Sequence, residues 1–152
     1  MDTDLHELYQ NIILDHNKRP RNYGALDGFT HSAEGVNPLC GDKVVLFLVL
    51  ENDRIQKIQF ESASCAICKA SASIMTQELG GKLLKETGQI VDRVQELLST
   101  DVEAAIDLLT DGELAAFTGV LKFPARIKCA LLPWKTLMDI DFEYKTNDYQ
   151  TP

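Results

Sequence analysis

The sequence predicts an α+β domain, a small antiparallel β-sheet of about three strands covered by helices. Three observations carry this expectation. After one N-terminal helix the strand-like segments come first and the helical ones follow, which is not the alternation of βαβ units. An Asn52-Asp53 turn separates two β-branched, apolar runs and marks a hairpin. The chain has 152 residues, 45% hydrophobic and 25% charged, which suits a single domain over 1–152 and excludes disordered or rod-like chain.

Each element has its own signal. Leu5, Leu8, Tyr9, Ile12 and Ile13 recur at helical spacing, so an amphipathic helix capped by Asp2 or Thr3 opens the chain. It stops at Arg19-Pro20, because the residue before proline is pushed out of the helical region. Turn-rich chain through Gly24, Asp27 and Gly28 leads to a strand near 29–36. The hairpin pairs 43–51 with a strand carrying Ile55, Ile58 and Phe60. Helices are expected at 66–79, 83–98, 102–109, 113–121 and 125–141, followed by a short tail at 142–152. The last helix presents Ile127, Ala130, Leu131, Trp134, Leu137 and Met138 on one side, with Trp134 in the core. Pro133 is awkward there, since inside a helix its ring clashes with the Cys129 carbonyl. The helix therefore begins near Pro133 or bends at it.

Charge and hydropathy remove several functions. With 15 Lys and Arg against 23 Asp and Glu the formal charge is −8, and no basic cluster offers a nucleic acid the cation density it needs. The longest apolar run, 44–50, is too short to cross a membrane. Met1-Asp2-Thr3-Asp4 has no basic region leading into an apolar stretch, so no secretory signal is expected and the protein is placed in the cytoplasm. Thiols stay reduced there, and clustered cysteines read first as metal-binding or catalytic.

The four cysteines are Cys40, Cys65, Cys68 and Cys129. Cys40 lies in the tight loop Asn37-Pro38-Leu39-Cys40-Gly41-Asp42, where Gly41 permits unusual dihedrals and Asp42 adds a carboxylate. Cys65 opens a helix, where free N–H groups favour a thiolate. Cys129 starts the last helix beside the cations Arg126 and Lys128. Three such thiols with one carboxylate make a credible tetrahedral zinc set. The gaps of 25, 3 and 61 residues are not the paired spacing of a zinc ribbon, so spacing alone does not select a shared site and separate core cysteines remain a live reading.

Four strings then bear on the choice: Asp15-His16-Asn17-Lys18-Arg19-Pro20-Arg21-Asn22-Tyr23-Gly24, the NPLCGD loop, the CAICKASASIMT helix start and FPARIKCALLPW. Together, over about 5–137, they resemble the U-type iron–sulfur cluster assembly proteins, the IscU/NifU N-terminal-like superfamily. Within it the chain is more similar to the zinc-dependent SufU branch than to the IscU scaffold branch. Scaffold-type members carry histidine before the last cysteine, where this chain has Lys128. SufU-type members carry an extra helical segment, which 89–121 supplies.

The resemblance implies a role for each matched position. Cys40, Asp42, Cys65 and Cys129 fall on the family's metal-ligand positions, with Zn2+ as the cofactor. Cys40 falls on the sulfur acceptor, serving a SufS-type, pyridoxal-phosphate cysteine desulfurase whose own histidine replaces it on the metal. Arg126 would offset the surplus negative charge of the site or orient Asp42. The product is a sulfurtransferase-like partner of the desulfurase, which hands sulfur on to downstream cluster-assembly proteins. The scaffold alternative holds iron or a [2Fe–2S] cluster on the same cysteines and passes it to apo-proteins. A third reading is a zinc-stabilised adaptor without thiol chemistry.

The chain departs from the family pattern in two places, and before the first of them Ser62 also stands where another glycine is usual. Ser64 stands where glycine is usual, and Cys68 where serine or threonine is usual. Cys68 lies one turn above Cys65 and is read either as a small buried residue or as a substitute ligand or redox partner. His16 is expected as a packed or capping residue, while His6 and His31 have no partner in sequence for a metal set. The acidic residues of 96–113 read as the solvated faces of two short helices.

Overall fold

Tyr9 and Ile13 sit on the buried side of α1 (Asp2–Lys18), and His16 follows them one turn on with no exposed surface, while Leu5 and Leu8 of the expected stripe are exposed. The computed structural model describes residues 2–101 and 105–143; the side chains of Asp2 and Thr3, and with them the expected cap, lie outside that description. Beyond α1 the chain turns back on itself, and Asp15 accepts from Arg19 at 2.9 Å and from Arg21 at 2.7 Å.

Three strands follow: β1 (His31–Asn37), β2 (Asp42–Glu51) and β3 (Arg54–Ala63), an antiparallel sheet in the order β1-β2-β3. The β2–β3 turn has positive φ at both Asn52 (54°) and Asp53 (58°), the requirement of a two-residue turn that matches strand twist. Asn37 pairs with Asp42 at the other end, which leaves residues 38–41 as a short loop at the sheet's edge. Along β2, Asp42, Val44, Leu46 and Leu48 alternate into the interior.

The buried face of the sheet packs on α2 (Ala66–Leu79) and α5 (Pro124–Met138), and α1 lies against α2. The antiparallel sheet covered by helices agrees with the fold class read from sequence. Trp134 is in the core, edge-on to Phe117 at 6.1 Å, with its indole N–H donating to Ser71 at 3.0 Å.

Between α2 and α5 the chain forms α3 (Leu84–Leu97), the single turn α4 (Leu108–Asp111) and a 3₁₀ helix over Gly112–Val120. Of the helix expected at 102–109, 102–104 lies outside the described residues, 108–109 is helical as the start of α4, and 105–107 is irregular. Arg93 is the physical reason. Its guanidinium takes the Ala105 carbonyl at 2.6 Å and Asp111 in a two-pronged grip at 2.7 Å, which ties this stretch down in an extended path. Asp107 then caps α4 by accepting from Leu109 N–H. Asp111, read as solvated, is 4% exposed, and the helix expected at 113–121 is of 3₁₀ type.

The last helix begins at Pro124 and runs through a buried Pro133, so it does not start near that proline. Pro124 is well placed, because the first turn of a helix has no use for its missing N–H. Around Pro133, the hydroxyls of Ser71 and Thr136 donate to the carbonyls of Ala130 and Leu132.

Candidate metal centre

Each functional side chain is set by a different local device. In the loop between β1 and β2, Asn37 accepts from Leu39 N–H through its side chain and from Gly41 N–H through its carbonyl. Gly41 takes a φ of 75°, the left-handed turn that glycine permits, and Cys40 is left exposed at the tip. Cys65 is the N-cap of α2, where its sulfur accepts from Cys68 N–H at 3.5 Å. Cys129 lies inside the first turns of α5, 6% exposed, with its thiol directed at the Ala125 carbonyl at 3.6 Å.

These devices converge on Asp42, the first residue of β2, which is 3% exposed. Its Oδ1 accepts from Cys65 N–H at 2.9 Å, while its Oδ2 lies 3.1 Å from Cys40 Sγ and 3.6 Å from Cys65 Sγ. Cys40 Sγ is 3.8 Å from Cys129 Sγ. One donor atom from each of Cys40, Asp42 and Cys129 falls within 4.8 Å of the others, and Cys65 borders the set through Asp42. The sequence candidates Cys40, Asp42, Cys65 and Cys129 therefore come together, from a loop, a strand and two helix ends.

The electrostatics follow from that geometry. Burial works against ionisation of Asp42, but hydrogen bonds from Cys40, from Cys65 N–H, from Cys129 and from the Cys65 thiol outweigh it. The carboxyl is held below its ordinary value. Burial, reinforced by the hydrogen bond to Asp42 and by the neighbouring thiols, pushes Cys129 the other way and keeps it protonated when no cation is present. A divalent cation reverses that preference, because it stabilises thiolate directly.

Cys68 and Arg126 are placed differently from the four. Cys68 has no exposed surface, and burial pushes its thiol up to about 12. Arg126 is exposed and stacks on the Phe123 ring at 5.6 Å; among the described residues no ion pair joins it to Asp42. His16 is a packed residue, bonded to Ser73 at 2.7 Å and to Glu113 at 3.2 Å. His31 is buried against Thr30 and the Phe142 carbonyl. Sequence reasoning missed the bond from Cys65 N–H to Asp42. Its only signal was the capping position of Cys65, twenty-three residues away in the chain.

A small α+β domain that brings thiols and a buried carboxylate to one edge of its sheet offers a candidate thiol-based metal site. Residues 8–130 match the NifU-like N terminal domain. The chain belongs to that family. It is 40% identical over 136 residues to the zinc-dependent sulfurtransferase SufU of Bacillus subtilis, covering 88% of this chain and 89% of the relative. It is 38% identical over 135 residues to the iron–sulfur cluster assembly scaffold protein IscU of Streptococcus pyogenes serotype M1, covering 89% and 83%. In structure it is similar to FiSufU of Fervidobacterium islandicum AW-1, a protein assigned as a cluster assembly scaffold for the SUF system. The TM-score is 0.77 at 32% identity, over 88% of this chain and 96% of that one.

Proposed function

We propose that this chain is a zinc-dependent sulfur acceptor that takes persulfide sulfur from a SufS-type cysteine desulfurase and passes it into iron–sulfur cluster assembly. The observation that supports it most is the contrast within the donor set. Cys40 is exposed on a loop, while Asp42 and Cys129 beside it are buried. Cys65 is exposed as well, but its N–H bond to Asp42 holds it at the head of α2, so the loop thiol Cys40 is the one placed to meet an incoming partner.

The donor set fits zinc, for three sulfurs and a carboxylate oxygen are ligands of the kind that ion takes in tetrahedral sites. Zinc held by Cys40, Asp42, Cys65 and Cys129 would supply thiolates at neutral pH. The remaining chemistry belongs to the chain. Cys40 thiolate attacks the outer sulfur of the donor persulfide, the donor's S–S bond breaks, and its cysteine leaves as thiolate. The new S–S bond is on Cys40, with no net oxidation or reduction. Asp42 fixes Cys65 through its backbone N–H and aligns Cys40 through Oδ2. Cys68, buried and held as the thiol, is outside this reaction in our reading, and Arg126 stays at the rim as a supporting charge. A reducing cytoplasm suits a protein whose four cysteines are all free, and no helix among the described residues is long and apolar enough to cross a membrane.

The similarity to a scaffold protein favours a second reading, in which the same cysteines carry a nascent cluster. Lys128 stands where scaffold-type members of the family carry a histidine ligand, and this favours sulfur transfer. Desulfurase turnover with Cys40→Ala protein tests the proposal. Loss of stimulation is expected, and stimulation equal to that by the unaltered chain removes Cys40 as acceptor. Anaerobic reconstitution that gives one stable, transferable cluster per chain would select the scaffold instead.

A further inference from the structure

Cys65 and Cys68 form a C-x-x-C pair at the head of α2, and their two thiols are placed in opposite ways. Cys65 is the N-cap, in extended backbone with φ −68° and ψ 166°, and it is exposed. Cys68 stands one turn on, without exposed surface, as part of the apolar core. Its backbone N–H donates to Cys65 Sγ at 3.5 Å, so the first sulfur lies against the residue that carries the second. Helical side chains lean towards the N-terminus and residues three apart are neighbours, which turns Cys68 back towards Cys65. Residues so spaced lie in the range of separations that a disulfide spans. An exposed sulfur backed by a buried second thiol has the makings of a nucleophile and its resolving partner.

The neighbouring centre supplies a substrate for such a pair. Cys40 Sγ and Cys65 Sγ both lie on Asp42 Oδ2, at 3.1 and 3.6 Å, so sulfur carried by Cys40 is held close to Cys65. The outer sulfur of a persulfide becomes sulfide only by taking up two electrons, and two thiols give up two electrons when they close to a disulfide.

We propose that Cys65 and Cys68 together reduce persulfide sulfur to sulfide, with Cys68 as the resolving thiol. The proposal rests on the sulfur-acceptor reading for the source of the persulfide and adds what becomes of it. Cys65 attacks the outer sulfur on Cys40, the S–S bond there breaks, and the Cys65 proton passes to Cys40 as its thiol is restored. Cys68 then attacks Cys65 Sγ, the inner sulfur that its own N–H holds against the helix. The bond to the outer sulfur breaks, and that sulfur leaves with the Cys68 proton as hydrogen sulfide. Sulfur gains two electrons, the thiol pair loses two as the Cys65–Cys68 disulfide, and a dithiol reductant reopens the pair. Closing the disulfide withdraws Cys65 from the donor set, so the step also loosens the hold of the site on zinc.

The test treats the zinc-loaded full chain with glutathione persulfide, so that sulfur arrives without a desulfurase. The unaltered chain is expected to release about one sulfide per chain and to gain a Cys65–Cys68 disulfide. Methylene blue formation reads the sulfide, peptide mass spectrometry the disulfide, and a chromophoric chelator the zinc set free. Cys68→Ser introduces a residue usual in the family at this position, and Cys68→Ala is a second variant. Neither change removes a proposed ligand, and unchanged zinc content before treatment shows that the variants are folded. Both should keep the added sulfur as persulfide and release sulfide about tenfold more slowly. Release from both at the unaltered rate, or a disulfide joining Cys65 to Cys40 or Cys129 instead, removes Cys68 as the resolving thiol while sulfur acceptance stands. The same assay with a SufS-type desulfurase and cysteine keeps the two readings apart. Sulfide and disulfide with glutathione persulfide but not with the desulfurase would uphold the redox pair and overturn the proposed sulfur source.

Discussion

Asp42 and the thiols around it show how position sets reactivity one residue at a time. Cys40 and Cys65 are exposed, Cys129 is nearly buried, and Cys68 is wholly buried with its thiol pushed up to about 12. Only the thiolate alkylates, so metal-free protein treated with iodoacetamide at mildly alkaline pH should label at Cys40 and Cys65 first. Cys129 should follow slowly and Cys68 only after unfolding; peptide mass spectrometry reads the order, and early labelling of Cys68 would contradict its burial. His16 gives a second prediction at this scale. Burial, the largest influence, holds its folded value below the ordinary 6.5 despite the nearby Glu113 carboxylate. The unfolded chain therefore takes up a proton at a pH where the folded chain does not, and stability present above 6.5 is lost as pH falls below it. Melting curves between neutral and mildly acid pH should show this loss, and His16→Asn should flatten it. The residue types of the centre were legible in sequence because each sat on a recognisable loop or helix start. Which atoms Asp42 would bridge was not, since those contacts join segments far apart in the chain.

At the scale of elements, local signals worked where one segment decides its own conformation. The Asn52-Asp53 turn and the Arg19-Pro20 stop are both of this kind. They failed at 105–107, where a helical pattern loses to the grip of one arginine from another helix. Arg93 on α3 grips Asp111, and Asp107 N–H donates to the same carboxylate at 2.9 Å. Those bonds, the Arg93 pair first, hold Asp111 below its ordinary value against the pull of burial. Removing Arg93 would strand a buried carboxylate, which typically costs about 3 kcal/mol. Arg93→Ala should accordingly lower stability by about that amount in denaturant titration. Because Asp111 is then the unpaired group, adding Asp111→Asn should restore part of the loss. If the double variant is no better than the single one, the clamp is not what shapes this segment.

The whole molecule enters through the distance between two surfaces. Cys40 hangs from the β1–β2 loop and Cys129 from α5, so their 3.8 Å separation is fixed by how closely α5 packs on the sheet. Gly35 sets that approach. A Cβ there would overlap Thr136 Oγ1 and come within 3.0 Å of Thr136 Cβ. Thr136 has little freedom to yield, for it is 2% exposed and its hydroxyl is bonded to the Leu132 carbonyl. No pattern in the sequence announced this contact, since a glycine in a strand carries no periodic signal and its partner lies about a hundred residues on. Gly35→Ala should therefore do two things at once. It should cost about 1–3 kcal/mol through overpacking, and it should spread the donor set and weaken zinc binding. Denaturant titration reads the first and competition with a chromophoric chelator the second. Thr136→Ala in the same chain opens the space again, so it should recover zinc affinity even though it gives up a hydrogen bond. Recovery of both quantities together would mean that the sheet–helix distance tunes the centre. Lost stability with unchanged zinc affinity in Gly35→Ala would instead show that the loop and helix adjust to the ion independently of the packing beneath them.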